Sequence, residues 1–192
     1  GCELTGLDND PAMLAKARGD HPGERWITGD IAAWAGEGAP PGYDLVFTNA
    51  ALHWLPDHAS LFPALLRALA PGGVLACQMP RNFAAPSHRL LRETMQDARW
   101  RERLAGFADW EPVAEPSTHF DWLRPHASAV DIWETEYLQV PEGENAGLEW
   151  IKGSALVPVR DALDAGSYAA FNARYGPALR AAYPRRGDGT TQ

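Results

Sequence analysis

Short apolar runs that each stop at a polar residue, with a helical stretch between them, constrain this chain most. Leu4 to Asp8 is the first run, Trp26 to Gly29 with Asp30 next is the second, and Asp44-Leu45-Val46-Phe47-Thr48-Asn49 is the third. After the first, Asp10 suits a helix N-cap and Pro11 the first helical position, where a missing N–H costs nothing. That helix carries Met13, Leu14 and Ala17 and stops near Gly19. After the third, Leu61, Leu65 and Leu69 recur at helical spacing. Pro71-Gly72-Gly73 then turns the chain into a fourth strand, Val74 to Met79. Alternating strand and helix predicts a parallel α/β sheet. The unbroken third run predicts a strand buried on both faces.

Beyond residue 80 the rhythm breaks. Residues 81–118 hold a predicted helix with Leu90, Leu91 and Met95 on one face, followed by a Pro-rich linker. Val130 to Val140 alternates like a strand, with Ile132, Trp133, Tyr137 and Leu138. Helices are expected at 145–163 and 167–182. The second sets Tyr168, Phe171, Tyr175 and Leu179 on one face and should kink at Gly176-Pro177, because proline removes a backbone donor.

The 192 residues are the length of one domain with a sizeable core. A net charge of −8 argues against nucleic acid or an anionic membrane as partner. The two cysteines, Cys2 and Cys77, lack metal-ligand spacing, so no metal site is expected. No signal peptide and no membrane-length apolar run is visible. These features read as a soluble, cytoplasmic, monomeric protein.

Asp8 and Asp30 stand at strand ends one strand-helix-strand step apart. A carboxylate at such a rim can accept ribose hydroxyls, and a second can accept from an adenine amine. Each also has a purely local use at a helix entry, Asp30 as the cap of the helix that carries Trp34. Dinucleotide-binding folds share the first acid.

Gly6-Leu7-Asp8-Asn9-Asp10-Pro11-Ala12-Met13-Leu14 resembles the second-strand signature of class I S-adenosylmethionine-dependent methyltransferases. Gly29-Asp30-Ile31 is similar to their third-strand acid. Tyr43 to Asn49 and Leu69 to Leu75 resemble their fourth strand and the turn before the fifth. Within them, five further segments resemble the trans-aconitate 2-methyltransferase family. They are Asn49 to His58; Gln78 to Asn82 with Pro86-Ser87-His88; Val130 to Thr135; Glu149 to Leu156; and Ala182-Tyr183-Pro184 before Asp188-Gly189.

The resemblance implies a Rossmann-like, doubly wound, mostly parallel sheet with a helical lid. Residues 1–80 would form the S-adenosylmethionine-binding α/β core. Residues 81–128 would be a helical insertion, and 129–192 a sixth strand with C-terminal helices, all in one domain. The family orders its strands 3-2-1-4-5-7-6, and the segments of its first and last strands are not in this sequence. Three separated pieces, 3-2, 4-5 and 6, are therefore expected. Such a gap leaves buried backbone groups unpaired at about 1–3 kcal/mol each, so the 192 residues alone are expected to fold poorly. Val157 stands where the family usually has an arginine.

The implied cofactor is S-adenosylmethionine, held by Asp8, Asn9, Met13, Asp30, Ile31, Asn49 and His53. The implied substrate is a small polycarboxylate, with Trp54, Asn82, His88, Lys152 and Tyr183 against it. Arg81, Arg160 and Arg180 are further basic candidates, since arginine pairs bidentately with carboxylates. The Trp54 ring also suits a sulfonium cation. A carboxylate nucleophile is already ionised near neutral pH. No catalytic base is therefore assigned, and proximity, orientation and exclusion of water carry the reaction. Three alternatives stay open: a methyltransferase for another small carboxylic acid, a non-catalytic interaction module with this fold, and an NAD-binding domain.

Overall fold

The computed structural model describes residues 1–36, 39–108, 113–140, 143 and 145–190. Along the chain come β1 (Thr5–Asp8), α1 (Pro11–Asp20), β2 (Arg25–Thr28), α2 (Ile31–Gly36) and β3 (Tyr43–Asn49). A 3-10 turn (Leu52–Trp54), α3 (His58–Arg67) and β4 (Leu69–Gln78) follow. The rest is helical: α4 (Pro86–Met95), α5 (Arg101–Ala108), α6 (Pro116–Leu123), α7 (Ala146–Lys152), α8 (Val157–Ala162) and α9 (Ala165–Ala182). Part of the Gly- and Pro-rich loop at 36–42 lies outside the described residues. So does part of the expected Pro-rich linker. Two compact units form: Gly1–Met79 with Ala114–Ile132, and Pro80–Val113 with Trp133–Gln192.

The first unit holds the strands. β1 pairs in parallel with β2, Asp8 opposite Thr28, and β3 pairs in parallel with β4, Asn49 opposite Gln78. Each pair is its own two-stranded sheet. These are two of the three expected pieces. The first strand–helix step forms as read: Asp10 Oδ1 accepts from Ala12 N–H at 2.7 Å and from Met13 N–H at 3.3 Å.

The core of this unit joins Ala35, Leu52, Leu61, Phe62, Ala64 and Leu65, with Val46 and Leu75 packed on it from the β3–β4 sheet. Burial of β3 on both faces is not found. Leu45 and Phe47 are 55% and 70% exposed. Only one face of this sheet, the Val46 and Leu75 face, meets the α2–α3 layer, so the continuous apolar run does not report two covered faces.

Leu69 was expected on the helical face but lies in β4, opposite Tyr43. The Pro71-Gly72-Gly73 turn lies inside the same strand as a bulge, because the next matched pair is Leu45 with Val74. Gly72 takes φ +83°, and a Cβ on Gly73 would stand 2.7 Å from the Tyr43 carbonyl oxygen. Only glycine lets the two backbones approach so closely.

The second unit is helical. Leu91, Met95, Trp100 and Leu104 pack with Ile151, Leu156, Val159, Phe171, Tyr175 and Leu179. The apolar face read for α9 is real: Phe171 and Tyr175 are fully buried and Leu179 nearly so. α9 begins at the Asp164 cap, whose Oδ1 accepts from Ser167 N–H at 2.8 Å, and continues through Pro177. The single helix expected at 145–163 is two helices. α7 ends at Lys152 with Gly153 as its cap, and α8 carries Pro158 in its first turn, the one place in a helix where proline costs nothing. α5 and α6 lie within the stretch 81–128 expected as a helical insertion, although the residue pattern alone had pointed to only one helix there, followed by a linker.

The alternating segment Val130 to Val140 is not a strand. Alternation creates a face, but a strand exists only when its backbone finds a partner ladder. Among the described residues no strand pairs with this segment, and Trp133 and Tyr137 are 76% and 75% exposed.

Candidate functional site

Parallel pairing puts the carboxyl ends of β1 and β2 side by side. Asp8 closes β1, and its carbonyl oxygen accepts from Gly29 N–H at 3.0 Å. Asp30 follows one residue later. The two acids expected to act together are thus brought to one rim by the register itself. Asp8 Oδ1 accepts from Asp10 N–H at 2.8 Å, and Asp30 Oδ1 caps α2 by accepting from Ala33 N–H at 2.9 Å. The local role read for Asp30 is therefore present. Each carboxylate is steadied through one oxygen by a backbone N–H. Two anionic acceptors on one edge, with the half-buried Ile31 beside them, fit the hydroxyls, the amine and the ring of a nucleoside. Asn9 follows Asp8 in the β1–α1 turn, and the exposed Met13 lies in the first turn of α1.

The β3 rim carries Asn49, exposed and opposite Gln78. Ala50 follows at φ +50°, a left-handed conformation that costs a non-glycine residue about 1–2 kcal/mol. Its N–H donates to the Gln78 carbonyl at 3.0 Å, which holds the strained turn. The turn leads into the 3-10 segment with His53 and Trp54, whose rings lie 4.7 Å apart. His53 is buried; desolvation first, then the charge of His58, lowers its pKa to about 4. The imidazole is therefore neutral near pH 7 and adds no positive charge to a rim expected to face a cation. Trp54 is about half exposed.

In the helical unit, His88 and Tyr183 converge on Ser87. Tyr183 Oη accepts from Ser87 N–H at 3.2 Å, and the Ser87 hydroxyl and His88 Nδ1 are 3.2 Å apart. Asn82 is exposed just before α4. Lys152 instead pairs with Glu149 at 2.7 Å. The other basic candidates are engaged too: Arg81 with Glu134, Arg160 with Asp161, Arg180 with Asn145.

Tyr175, placed by its spacing on one face of α9, also makes a polar contact. Its ring is buried, but its hydroxyl donates to the Ser87 carbonyl at 3.0 Å. A tyrosine rather than a phenylalanine on the apolar face of α9 was the available signal, since a buried phenol usually finds a partner. Arg92 donates to the Phe83 carbonyl at 2.9 Å, and nothing in its neighbourhood in the sequence separates it from Arg89.

Residues 1–77 match a methyltransferase domain family. The trans-aconitate 2-methyltransferase of Azoarcus sp. (strain BH72) is 45% identical over 186 residues, which is 97% of this chain and 72% of that protein. The enzyme of the same name from Acidovorax ebreus (strain TPSY) is 44% identical over 188 residues, again 97% and 72%. That from Streptomyces avermitilis is 44% identical over 194 residues, 97% of this chain and 71% of the relative. No helix among the described residues is long and apolar enough to cross a membrane.

Proposed function

We propose, for a chain that belongs to the trans-aconitate 2-methyltransferase family, that the protein methylates a carboxylate of trans-aconitate to form a methyl ester, with S-adenosylmethionine as methyl donor. The observation that carries the cofactor side is the shared rim of Asp8 and Asp30, each with one carboxylate oxygen held by a backbone N–H.

When bound, S-adenosylmethionine supplies a methyl group on a positively charged sulfur. Asp8 would accept the ribose hydroxyls, with Asn9 and Met13 beside it. Asp30 would accept from the adenine amine while Ile31 covers the ring. Asn49 and the neutral His53 would border the methionine part, and the Trp54 ring offers an electron-rich face. Asn82, His88, Lys152 and Tyr183 would meet the substrate. The substrate carboxylate is ionised near neutral pH, so no side chain has to remove a proton. The chain's work is to fix the carboxylate in line, hold it close and keep water out. The proposed working form is a cytoplasmic monomer whose partner is a small carboxylate. Its acidic balance, −8 overall, supports the exclusion of polyanions as partners.

The test is calorimetric titration of the full-length protein with S-adenosylhomocysteine and with NAD, followed by methyl-transfer assays on di- and tricarboxylates. Binding of S-adenosylhomocysteine and preference for trans-aconitate are expected. Binding of NAD alone, or preference for another acid, overturns the reading.

A further inference from the structure

A small recess in the helical unit is lined by Phe83, His88, Leu91, Arg92, Met95 and Phe107, among others. Arg92 is half-buried, and one of its N–H groups donates to the Phe83 carbonyl at 2.9 Å. A guanidinium has five such donors. Among the described residues no carboxylate pairs with Arg92, whereas Arg81, Lys152 and Arg160 each hold an acidic partner and Arg180 holds Asn145. On the same helix the neighbouring Arg89 is taken by Glu93. A substrate carboxylate reaching Arg81, Lys152 or Arg160 has to displace an internal one; at Arg92 it does not.

We propose that Arg92 receives one carboxylate of the substrate in this recess, with His88 as its hydrogen-bonding partner. This deepens the polycarboxylate reading and rests on it. The recess measures about 30 Å3. That is room for about two water-sized groups, so the two oxygens of one carboxylate would enter and the rest of the substrate would stay outside. The apolar walls raise the strength of a charge-assisted contact by keeping water away. His88 is tied to Ser87 through Nδ1, and its ring packs edge-on against Phe83 at 5.6 Å. With the Ser87 hydroxyl donating to Nδ1, the ring proton sits on Nε2 and can be given to the bound anion. Burial and the Arg92 charge both favour that neutral ring. Arg92 therefore supplies charge and His88 supplies direction.

The test uses the full-length protein saturated with S-adenosylhomocysteine and titrates trans-aconitate into wild type, Arg92→Gln and Arg92→Lys. Arg92→Gln is expected to weaken trans-aconitate binding about tenfold or more while S-adenosylhomocysteine affinity is retained. Arg92→Lys, a point charge without the bidentate fork, should fall between the two. A dicarboxylate lacking the carboxylate that Arg92 receives should bind wild type and Arg92→Gln alike. Unchanged trans-aconitate affinity in the variants, or a parallel loss of S-adenosylhomocysteine affinity, overturns the proposal. So does a wild type that binds no carboxylate. If wild type binds trans-aconitate without methylating it, the reaction reading fails and the binding ratio still decides Arg92. If Arg92→Gln does not fold, Arg92→Lys alone decides, and unchanged binding there counts against the proposal.

Discussion

Ser87 and Tyr183, 96 residues apart in sequence, are joined by a 3.2 Å hydrogen bond from the Ser87 N–H to the Tyr183 phenol. Ser87 lies in the first turn of α4, where backbone N–H groups have no partner within the helix. Ala85 at the cap position offers no side-chain acceptor. A tyrosine after α9 thus does for α4 what a local serine or aspartate usually does. The bond also ties together two of the segments that resemble the same family.

Tyr183→Phe removes that acceptor. The full-length protein should lose about 1 kcal/mol of unfolding free energy, read from urea denaturation. Tyr175→Phe should cost a similar amount, because it strips a buried donor from the Ser87 carbonyl. An unchanged urea midpoint in Tyr183→Phe would show that water replaces the phenol and that the bond is not a cap.

Asp30 caps α2 and is proposed to hold the cofactor, and one pair of variants separates the two roles. Asparagine caps helices about as well as aspartate, so Asp30→Asn should keep the thermal midpoint, while Asp30→Ala should lose about 1 kcal/mol. Both remove the charge, and both should weaken S-adenosylhomocysteine binding about fivefold or more. Full affinity in Asp30→Asn would leave Asp30 as a cap and nothing else.

His53 is lowered from 6.5 in the unfolded chain to about 4 in the fold. A group whose folded pKa is depressed binds its proton more readily when unfolded. Its contribution is therefore complete above pH 6.5 and is lost as pH falls towards 4. His88 is lowered as well and acts in the same direction. Asp97 and Asp164, held below the usual carboxylate range by hydrogen bonds from Arg99 and from Ser167 with Arg103, act only at lower pH. The urea midpoint should fall between pH 7 and pH 5, and fall less in His53→Gln. Direct NMR titration should find the His53 ring uncharged down to pH 5; a midpoint near 6.5 would contradict its burial.

Gly73→Ala places a methyl group 2.7 Å from the Tyr43 carbonyl oxygen. A backbone atom in a ladder cannot rotate away, so the change should cost about 1–3 kcal/mol. Circular-dichroism melting of the full-length variant measures it, and an unshifted melt would mean the bulge yields freely.

The carboxyl-edge acids were legible because their signals are local. Asp10, Pro11 and the apolar run before them fix a strand, a turn and a helix within about ten residues, and parallel pairing then leaves little choice about which ends meet. The apolar face of α9 was legible for the same reason, since helical spacing alone lines up Phe171, Tyr175 and Leu179. The alternation at 130–140 was equally clear and gave the wrong state. A strand, unlike a helix, draws its backbone hydrogen bonds from elsewhere in the chain, and spacing does not say whether that partner is there.

By itself, then, the amino-acid order determined the strand–helix alternation, the two acids on one rim and the family these belong to, all of them set by contacts between near neighbours. The tertiary structure decided which cations are spoken for. Glu134 reaches Arg81 across 53 residues, and Tyr183 meets Ser87 across 96. It also left Arg92 without a carboxylate partner among the described residues. Whether an arginine is answered depends on which carboxylate the fold brings within hydrogen-bonding reach, and that is a property of packing between distant segments rather than of sequence.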